Sequence, residues 1–268
     1  MSDSPAARLP ARPMSESALP ISTGEAITRP LKTSESVARD VVHDIVSRGL
    51  KTGDRLPAEA AMLEQYGVSR ESLREGLRLL EVQGLISIRR GPGGGPTVGH
   101  LDPANLGRTA TLYYHLAGGT YEELFEAWVL TESILADRAA RNPDRDAVRI
   151  AMDPFVDSED HVDDHTSGVT SFVVAHTHFH GVIAGLAENR VLELLLQSIG
   201  QIVTHHVVMQ ADPREVRRAV TDDHAAVARA IAAGHANKAS REMEEHIGHM
   251  IAFYRSHIST KNEFIDWR

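Results

Sequence analysis

Four histidines in this sequence have a spacing that favours metal binding. His176 and His180 are four residues apart in a segment with helical periodicity, so both imidazoles project from one face about one turn apart. His224 and His246 lie on the following pair of predicted helices, and side chains of facing helices can converge inside a bundle. Neutral imidazoles in this arrangement bind zinc, nickel, cobalt or a similar divalent ion, with a position left for water or a ligand carboxylate.

The same histidines have a plainer interpretation as polar surface. Histidine pairs with this spacing are common on exposed helices, and fourteen of the fifteen histidines follow residue 99. We place the other histidines of these segments on the surface or in an outer shell: His178, His205, His206, His249 and His257.

A zinc protease carries glutamate directly after its first histidine, whereas this chain has Thr177, and no general base can be nominated near the histidines. Cysteine is absent, which excludes thiolate metal sites and cysteine nucleophiles.

A second set of residues is suited to nucleic-acid recognition. Arg70, Arg74 and Arg78 recur every four residues and share one face of a predicted helix, while a row of leucines forms another face. The leucine face belongs to a core, which leaves the arginine face available. An arginine there can donate to both O6 and N7 of a guanine.

The elements that position these arginines predict a winged helix-turn-helix. Gly67 can close a first helix over Pro57–Tyr66 in the left-handed conformation, and Ser69 can cap the second helix. A further helix over Ser34–Arg48 is expected to pack behind them. Next, two short strands flank the loop Gly91–Gly95, whose glycines let the backbone approach a phosphate or the minor groove closely.

The remainder of the chain predicts an all-α helical bundle. Apolar residues recur at three- and four-residue spacing, which is most simply explained by about six helices. The periodic segments are Leu112–Ala140, Val169–Leu186, Val191–Met209, Val216–Ala233 and Lys238–Ser256, and the acidic run 157–165 is expected to be a solvated loop. We therefore expect a mainly α protein with a disordered tail (1–31), a winged helix-turn-helix domain (32–99), a linker (100–106), a helical domain (107–258) and a tail (259–268).

Charge is distributed unevenly between these two domains. The negative net charge of −9 arises after residue 99, where there are 15 lysines and arginines and 25 aspartates and glutamates. Residues 32–99 contain 10 lysines and arginines and 9 aspartates and glutamates. Affinity for DNA must therefore come from clustered arginines on one surface. No apolar run is long enough to span a bilayer and the first residues do not form a signal peptide, so we expect a cytoplasmic protein without a membrane partner.

The N-terminal pattern resembles the GntR family of bacterial transcription regulators, and specifically its FadR-like subgroup with an FCD effector domain. The resemblance rests on Leu56-Pro57, Glu59, Leu63, Gly67-Val68-Ser69-Arg70, Leu73-Arg74, Leu77, Leu80, Gly84-Leu85 and the wing 90–95. In the helical domain, Phe179-His180, Ala187-Glu188-Asn189, His224 and His246 resemble the metal-site pattern of the subgroup. The resemblance covers residues 32 to 257.

This resemblance implies which residues bind DNA and metal. Ser69, Arg70, Arg74 and Gly91 are implied to contact operator DNA, whereas Ala60 stands where the family commonly has a DNA-contacting arginine. The implied metal ligands are His176, His180, His224 and His246, with His176 in place of the family's aspartate. Four histidines favour zinc or nickel over magnesium or calcium. The resemblance implies a small carboxylate as effector, but Trp128 replaces an arginine of the family pattern, which argues against a simple small carboxylate and permits a larger apolar acid.

The sequence thus predicts a homodimeric, ligand-responsive regulator. We expect a repressor that binds double-stranded operator DNA and whose affinity is modulated by a small-molecule effector bound beside the metal. One alternative is a regulator for which the metal itself is the signal. Another is a metalloenzyme with an accessory DNA-binding domain, and the sequence offers it no general base.

Overall fold

The computed structural model describes residues 31–91, 93–156, 169–206, 213–257 and 265. Within these ranges the chain forms ten helices and one two-stranded sheet. The predicted tail 1–31, apart from Leu31, and the acidic run 157–165 lie outside the described residues. The architecture is mainly α, with a winged helix-turn-helix followed by an all-α domain, as the sequence predicts.

The N-terminal domain is a helix-turn-helix with a wing. Its elements are α1 (Thr33–Ser47), α2 (Glu59–Tyr66), α3 (Arg70–Val82), β1 (Ile86–Arg89) and β2 (Gly95–Val98). The two strands are antiparallel, with Ile86 opposite Val98, and Arg55 adds an isolated bridge to Thr97. The core of this domain contains Val37 and Val41 of α1 together with the leucine face of α3.

Close packing of α1 on α3 depends on one glycine. A Cβ at Gly76 would lie 2.8 Å from Cγ1 of Val37 and 2.9 Å from the carbonyl oxygen of Ser34. Because α1 crosses α3 at this point, a side chain here would push the two helices apart. The glycine therefore fixes how α3 lies on the rest of the domain.

The C-terminal domain consists of seven described helices around one core. They are α4 (Pro103–Leu116), α5 (Tyr121–Ala140), α6 (Arg145–Val156), α7 (Val169–Leu186), α8 (Arg190–His206), α9 (Pro213–Ala232) and α10 (Ala236–His257). Helix α5 is central: it packs on α10, α7, α8 and α9. Ten of its residues are buried, which explains why its apolar pattern extends beyond a single face.

Three details differ from the sequence prediction. The expected linker 100–106 already contains the first turn of α4, because Asp102 caps the helix by accepting from the backbone N–H of Ala104 at 2.9 Å and Pro103 suits the first helical position. The periodic segment from Leu112 to Ala140 is two helices, separated by a turn in which Gly118 has a φ of 70°. Helix α6 was not predicted, since its periodic segment is short and contains a proline.

The predicted C-terminal tail is anchored at one point. Ile265 is buried, and its backbone N–H donates to the carbonyl oxygen of Gly119 at 3.0 Å. Its own carbonyl oxygen lies 2.8 Å from Nδ1 of His115. The chain thus returns to the turn between α4 and α5, a long-range contact that no local signal in the tail predicts.

Candidate functional site

The first turn of α3 is shaped by the turn that precedes it. Gly67 ends α2 in the left-handed conformation, with a φ of 61°, and Ser69 caps α3 by accepting from the backbone N–H of Ser72 at 3.2 Å. Both local predictions are confirmed. Because the leucine face of α3 is buried in the domain core, the first turn presents Arg70 and Arg74 to solvent.

Both arginines contact one carboxylate. Nε of Arg70 and Nη2 of Arg74 each lie 3.3 Å from Oε1 of Glu59, the first residue of α2. The arginine side chains remain 69% and 65% exposed, so these ion pairs add little stability but orient the two guanidinium groups. Sequence reasoning missed this role of Glu59, because no helical spacing rule connects a residue of α2 to the face of α3.

The wing loop is held by backbone contacts and one side chain. Gly91 has a φ of 99°, and the N–H of Gly94 donates to the carbonyl oxygen of Gly91 at 2.9 Å. A Cβ at Gly94 would lie 2.2 Å from a backbone oxygen of Arg89, so a side chain does not fit there. Nη2 of Arg55 donates to the carbonyl oxygen of Gly93 at 2.8 Å. Arg55 is a second functional candidate that the sequence analysis did not single out.

The predicted DNA-contacting residues therefore lie on two elements. Ser69, Arg70 and Arg74 share the first turn of α3, whereas Gly91 lies in the wing loop. All four are exposed. A groove along α3 is bounded on its other side by the start of α1 and is lined by Thr33, Ser34, Arg70, Arg74 and Arg78 among others. The groove also contains the carboxylates of Glu71 and Glu75, and the glycine-rich wing loop is not part of its lining.

The second site is a cluster of four histidines inside the helical domain. His176 and His180 lie on α7, His224 on α9 and His246 on α10. One ring nitrogen from each lies within 4.8 Å of those of the other three. His180 and His246 are buried and the other two are partly buried, so a polar helix surface does not describe these four residues.

The geometry and the protonation of this cluster fit a divalent metal ion. Nε2 of His180 lies 3.3 Å from Nε2 of His246, and tetrahedral zinc with Zn–N bonds of about 2.0–2.1 Å separates its nitrogens by roughly that distance. Nε2 of His224 is buried and accepts or donates no hydrogen bond within the described residues. Burial and neighbouring imidazoles lower the pKa of His176 and of His224 far below the usual range, which keeps both rings neutral and able to ligate.

Two carboxylates contact the outer nitrogens of these rings. Oε1 of Glu132 lies 2.8 Å from Nδ1 of His180 and also accepts from the indole N–H of Trp128 at 3.2 Å. Oδ2 of Asp223 lies 3.6 Å from Nδ1 of His246 and 2.9 Å from Nδ1 of His249. The close approach of His246 and the hydrogen bond with His249 lower the pKa of Asp223. Such carboxylate contacts orient histidine ligands and turn their other nitrogen toward a metal.

These contacts add to what the sequence indicates. The sequence nominates no general base near the histidines, and the structure brings the carboxylates of Glu132 and Asp223 from other segments to the outer nitrogens of His180 and His246. Of the histidines expected on the surface or in an outer shell, His178 is exposed and His249 contacts Asp223. The side chains of His205, His206 and His257 lie outside what the structure describes.

A cavity of about 610 Å³ opens beside the four histidines. Its polar and aromatic lining includes Trp128, Glu132, His176, His180, Gln197 and Tyr254, and Pro103 of α4 reaches it from the domain boundary. Among the described residues that line it, none is lysine or arginine. No helix in the described part of the chain is long and apolar enough to cross a membrane.

Comparison with known proteins agrees with this two-domain arrangement. Residues 33–94 match the model of the family described as bacterial regulatory proteins, gntR family, and residues 123–249 match the FCD domain. The uncharacterized HTH-type transcriptional regulator YcbG of Bacillus subtilis is 28% identical over 80% of this chain and 86% of its own length. The Uxu operon regulator of Haemophilus influenzae is 26% identical over 75% of this chain and 74% of its own length.

A repressor and a solved structure extend the comparison. The HTH-type transcriptional repressor NanR of Edwardsiella tarda is 23% identical over 85% of this chain and 88% of its own length. The structure of Streptococcus agalactiae GntR has the same fold, with a TM-score of 0.58 and 22% identity over 83% of this chain and 99% of that one. Since the matched families and relatives are transcriptional regulators, the metalloenzyme alternative is set aside. This chain belongs to the gntR family of bacterial regulatory proteins and carries an FCD domain as its second domain.

Proposed function

We propose that this protein is a homodimeric transcriptional repressor whose operator affinity is set by a metal and a small molecule in its helical domain. The observation that carries the proposal is the first turn of α3, where Arg70 and Arg74 are exposed and are oriented by a single carboxylate. Because the partner is genomic DNA, the protein would act in the cytoplasm. Two copies would present two α3 helices to the half-sites of a near-palindromic operator.

The proposed DNA contacts divide into base readout and backbone positioning. Arg70 and Arg74 would enter the major groove and donate to guanine O6 and N7. Ser69 at the helix start and Gly91 in the wing would contact phosphate or sugar, which fixes the register of the protein on the duplex. Ala60 cannot make the contact of an arginine, so these two arginines would supply most of the direct readout.

Single substitutions test this assignment. Arg70→Ala and Arg74→Ala are each expected to weaken binding to the chain's own upstream DNA by about 5- to 150-fold, the range for one lost bidentate contact. Fluorescence anisotropy measures the affinity. Arg141→Ala is a matched control, because Arg141 is also an exposed arginine paired with a carboxylate, Asp137, but lies in the helical domain. Unchanged affinity of both α3 variants would refute the assignment.

We further propose that the four histidines bind zinc or nickel. The support is a donor set of four imidazole nitrogens, two of them at a tetrahedral separation, with carboxylates behind His180 and His246. When bound, the ion would supply Lewis acidity, and a ligand atom would enter as a fifth ligand beside the four histidines. Elemental analysis is expected to find about one ion per chain. A His180→Ala, His246→Ala variant should lose it, whereas the exposed His43→Ala control should retain it.

The cavity beside the histidines is the proposed effector site. Its position links the metal to α4, the helix that follows the DNA-binding domain, because Pro103 lines the cavity. The sequence predicts an acid as effector. Because no described residue that lines the cavity is lysine or arginine, the metal would be the positive charge that binds this acid. A tenfold change in DNA affinity requires about 1.4 kcal/mol of differential effector binding.

A second candidate is a regulator that senses the metal itself, which the burial of the histidine cluster also supports. In that case DNA affinity would follow zinc or nickel concentration across the physiological range without any organic ligand. A structural metal would instead be required for folding. Anisotropy and thermal unfolding of metal-loaded and metal-stripped protein separate the two outcomes.

A further inference from the structure

We propose that Glu71 of α3 determines part of the operator sequence, because its carboxylate accepts a hydrogen bond from the N4 amino group of a cytosine in the major groove. The inference rests on the proposed function, since it specifies the DNA that the same helix reads. Arg70 and Arg74 recognise guanines, and Glu71 adds one position at which each half-site carries cytosine.

Glu71 lies in the turn of α3 whose side chains reach base edges in helix-turn-helix proteins. It is exposed, and it lines the groove along α3 together with the arginines. The next two residues of this turn are less suited to accept a hydrogen bond from a base. Leu73 is fully buried, and the hydroxyl of Ser72 already accepts from that of Ser69 at 3.0 Å.

The carboxylate of Glu71 has no hydrogen-bond or ion-pair partner within the part of the chain that the structure describes. Arg74 lies three residues further along α3, a spacing that favours an ion pair, yet its guanidinium contacts Glu59 of α2, as does that of Arg70. Glu75 lies four residues from Glu71, where a second negative charge slightly destabilises the helix. The free protein therefore presents an unpaired acceptor on the surface that is proposed to face DNA.

Cytosine is the base whose major-groove edge best fits this carboxylate. A carboxylate only accepts hydrogen bonds, and cytosine presents the N4 amino group as a donor. Guanine and thymine present oxygen acceptors, O6 and O4, which a carboxylate repels. Adenine places the acceptor N7 beside its N6 donor. The arginines need the acceptors of guanine, so α3 carries donors and an acceptor that together match G·C pairs.

The negative charge of Glu71 also increases specificity. DNA phosphates repel the carboxylate on every sequence, whereas donation from cytosine N4 offsets this repulsion only at a matching site. Three arginines and two glutamates line the groove, so one carboxylate is a large part of its charge. Glu71 thus weakens binding to unrelated DNA more than binding to the operator.

Selection of bound duplexes from a library with a randomised central segment tests the inference. The full-length protein is expected to enrich guanines and, beside them, one cytosine position in each half-site. Glu71→Gln should change the preference at that position from cytosine to adenine, because an amide side chain bonds to both N6 and N7 of adenine. Glu71→Ala should abolish the preference there and leave the guanine positions unchanged.

Anisotropy titrations of the selected duplex measure the size of the effect. Replacing the cytosine by thymine should weaken binding of the unmodified protein by at least about fivefold, because an oxygen acceptor then faces the carboxylate. For Glu71→Ala the two duplexes should bind with equal affinity. Glu64→Gln is the matched control: Glu64 is an exposed glutamate of α2 outside the groove, so this variant should select the same sequences as the unmodified protein.

A carboxylate in the first turn also stabilises the start of a helix, and this structural role has a different readout. It would lower the melting temperature of both Glu71 variants without altering the selected bases. Identical selected sequences for the unmodified protein, Glu71→Gln and Glu71→Ala would therefore overturn the proposal. Enrichment of guanines that is lost in Arg70→Ala shows that the proposed function holds, which keeps its failure distinct from failure of this inference.

Discussion

Replacing Glu59 with alanine should separate specific from non-specific DNA binding. In the free protein the carboxylate lies 3.3 Å from Nε of Arg70. This contact leaves both terminal nitrogens of Arg70 free to donate to a guanine. Glu59 thus orders the side chain of Arg70 without occupying the nitrogens that donate to a guanine. Its negative charge also repels nearby DNA phosphates. Its loss should therefore lower affinity for the operator and raise affinity for unrelated DNA.

The magnitude follows from the number of side chains that Glu59 orders. Immobilising one long side chain on binding costs about 0.5–1.5 kcal/mol. Glu59 orders Arg70 through Nε, whereas at Arg74 it contacts Nη2, a terminal nitrogen that must be released to bind a guanine. Glu59→Ala should therefore weaken operator binding by about 0.5–1.5 kcal/mol, or about 2- to 13-fold. Removal of one negative charge from the face should strengthen binding to unrelated DNA by a few fold. Folding stability should change by no more than about 1 kcal/mol, because the ion pairs are exposed.

Anisotropy titrations of one operator duplex and one shuffled duplex, at a fixed salt concentration, measure both effects. Glu64→Ala is the control, since Glu64 is an exposed carboxylate on the same helix, α2. If operator affinity rose together with non-specific affinity, Glu59 would be a competitor for the arginines and the ordering argument would be wrong. Thermal unfolding of each variant confirms that the fold is retained.

Three further changes test the packing and the wing. Arg55→Ala should lower operator affinity about fivefold, by losing the hydrogen bond from Arg55 to the carbonyl oxygen of Gly93 in the wing loop, while its melting temperature should match that of the unmodified protein. Gly76→Ala should destabilise the protein by about 1–3 kcal/mol in urea unfolding, because α1 leaves no room for a Cβ, whereas Gly248→Ala, which meets nothing within 4 Å, should not destabilise it. Tyr66 donates to Asp44 at 2.7 Å and lowers the pKa of that carboxyl, so this stabilisation is full above about pH 4 and is lost as the pH falls through the lowered pKa. Tyr66→Phe should then cost about 1 kcal/mol at pH 7, and the difference from the unmodified protein should shrink below pH 4; a difference independent of pH would contradict this.

Local signals were sufficient to predict the DNA-binding domain. Gly67 and Ser69 act through their own backbone conformation and their own hydrogen bonds, so the residue types alone predicted the turn. The leucine face of α3 was visible as helical periodicity. What could not be predicted is the contact of Glu59 with the arginines, since it depends on the angle between two helices.

The helical domain was predictable in class but not in detail. The pairing of His176 with His180 follows from one turn of helix, and the approach of His224 and His246 was an expectation about a bundle. The carboxylates behind them come from residues that lie 48 and 23 positions from the histidines they contact, and no local rule reports such contacts. The burial of Ile265 is of the same kind, because it depends on where the chain returns after α10.

The most direct test of the account is the affinity of the unmodified protein for its own upstream DNA relative to a shuffled duplex of the same composition. Specific recognition by Arg70 and Arg74 predicts a ratio of about 10³ or more at physiological salt. Anisotropy with both duplexes on one protein sample gives this ratio directly. Equal affinity for the two duplexes would contradict the claim that the first turn of α3 reads sequence.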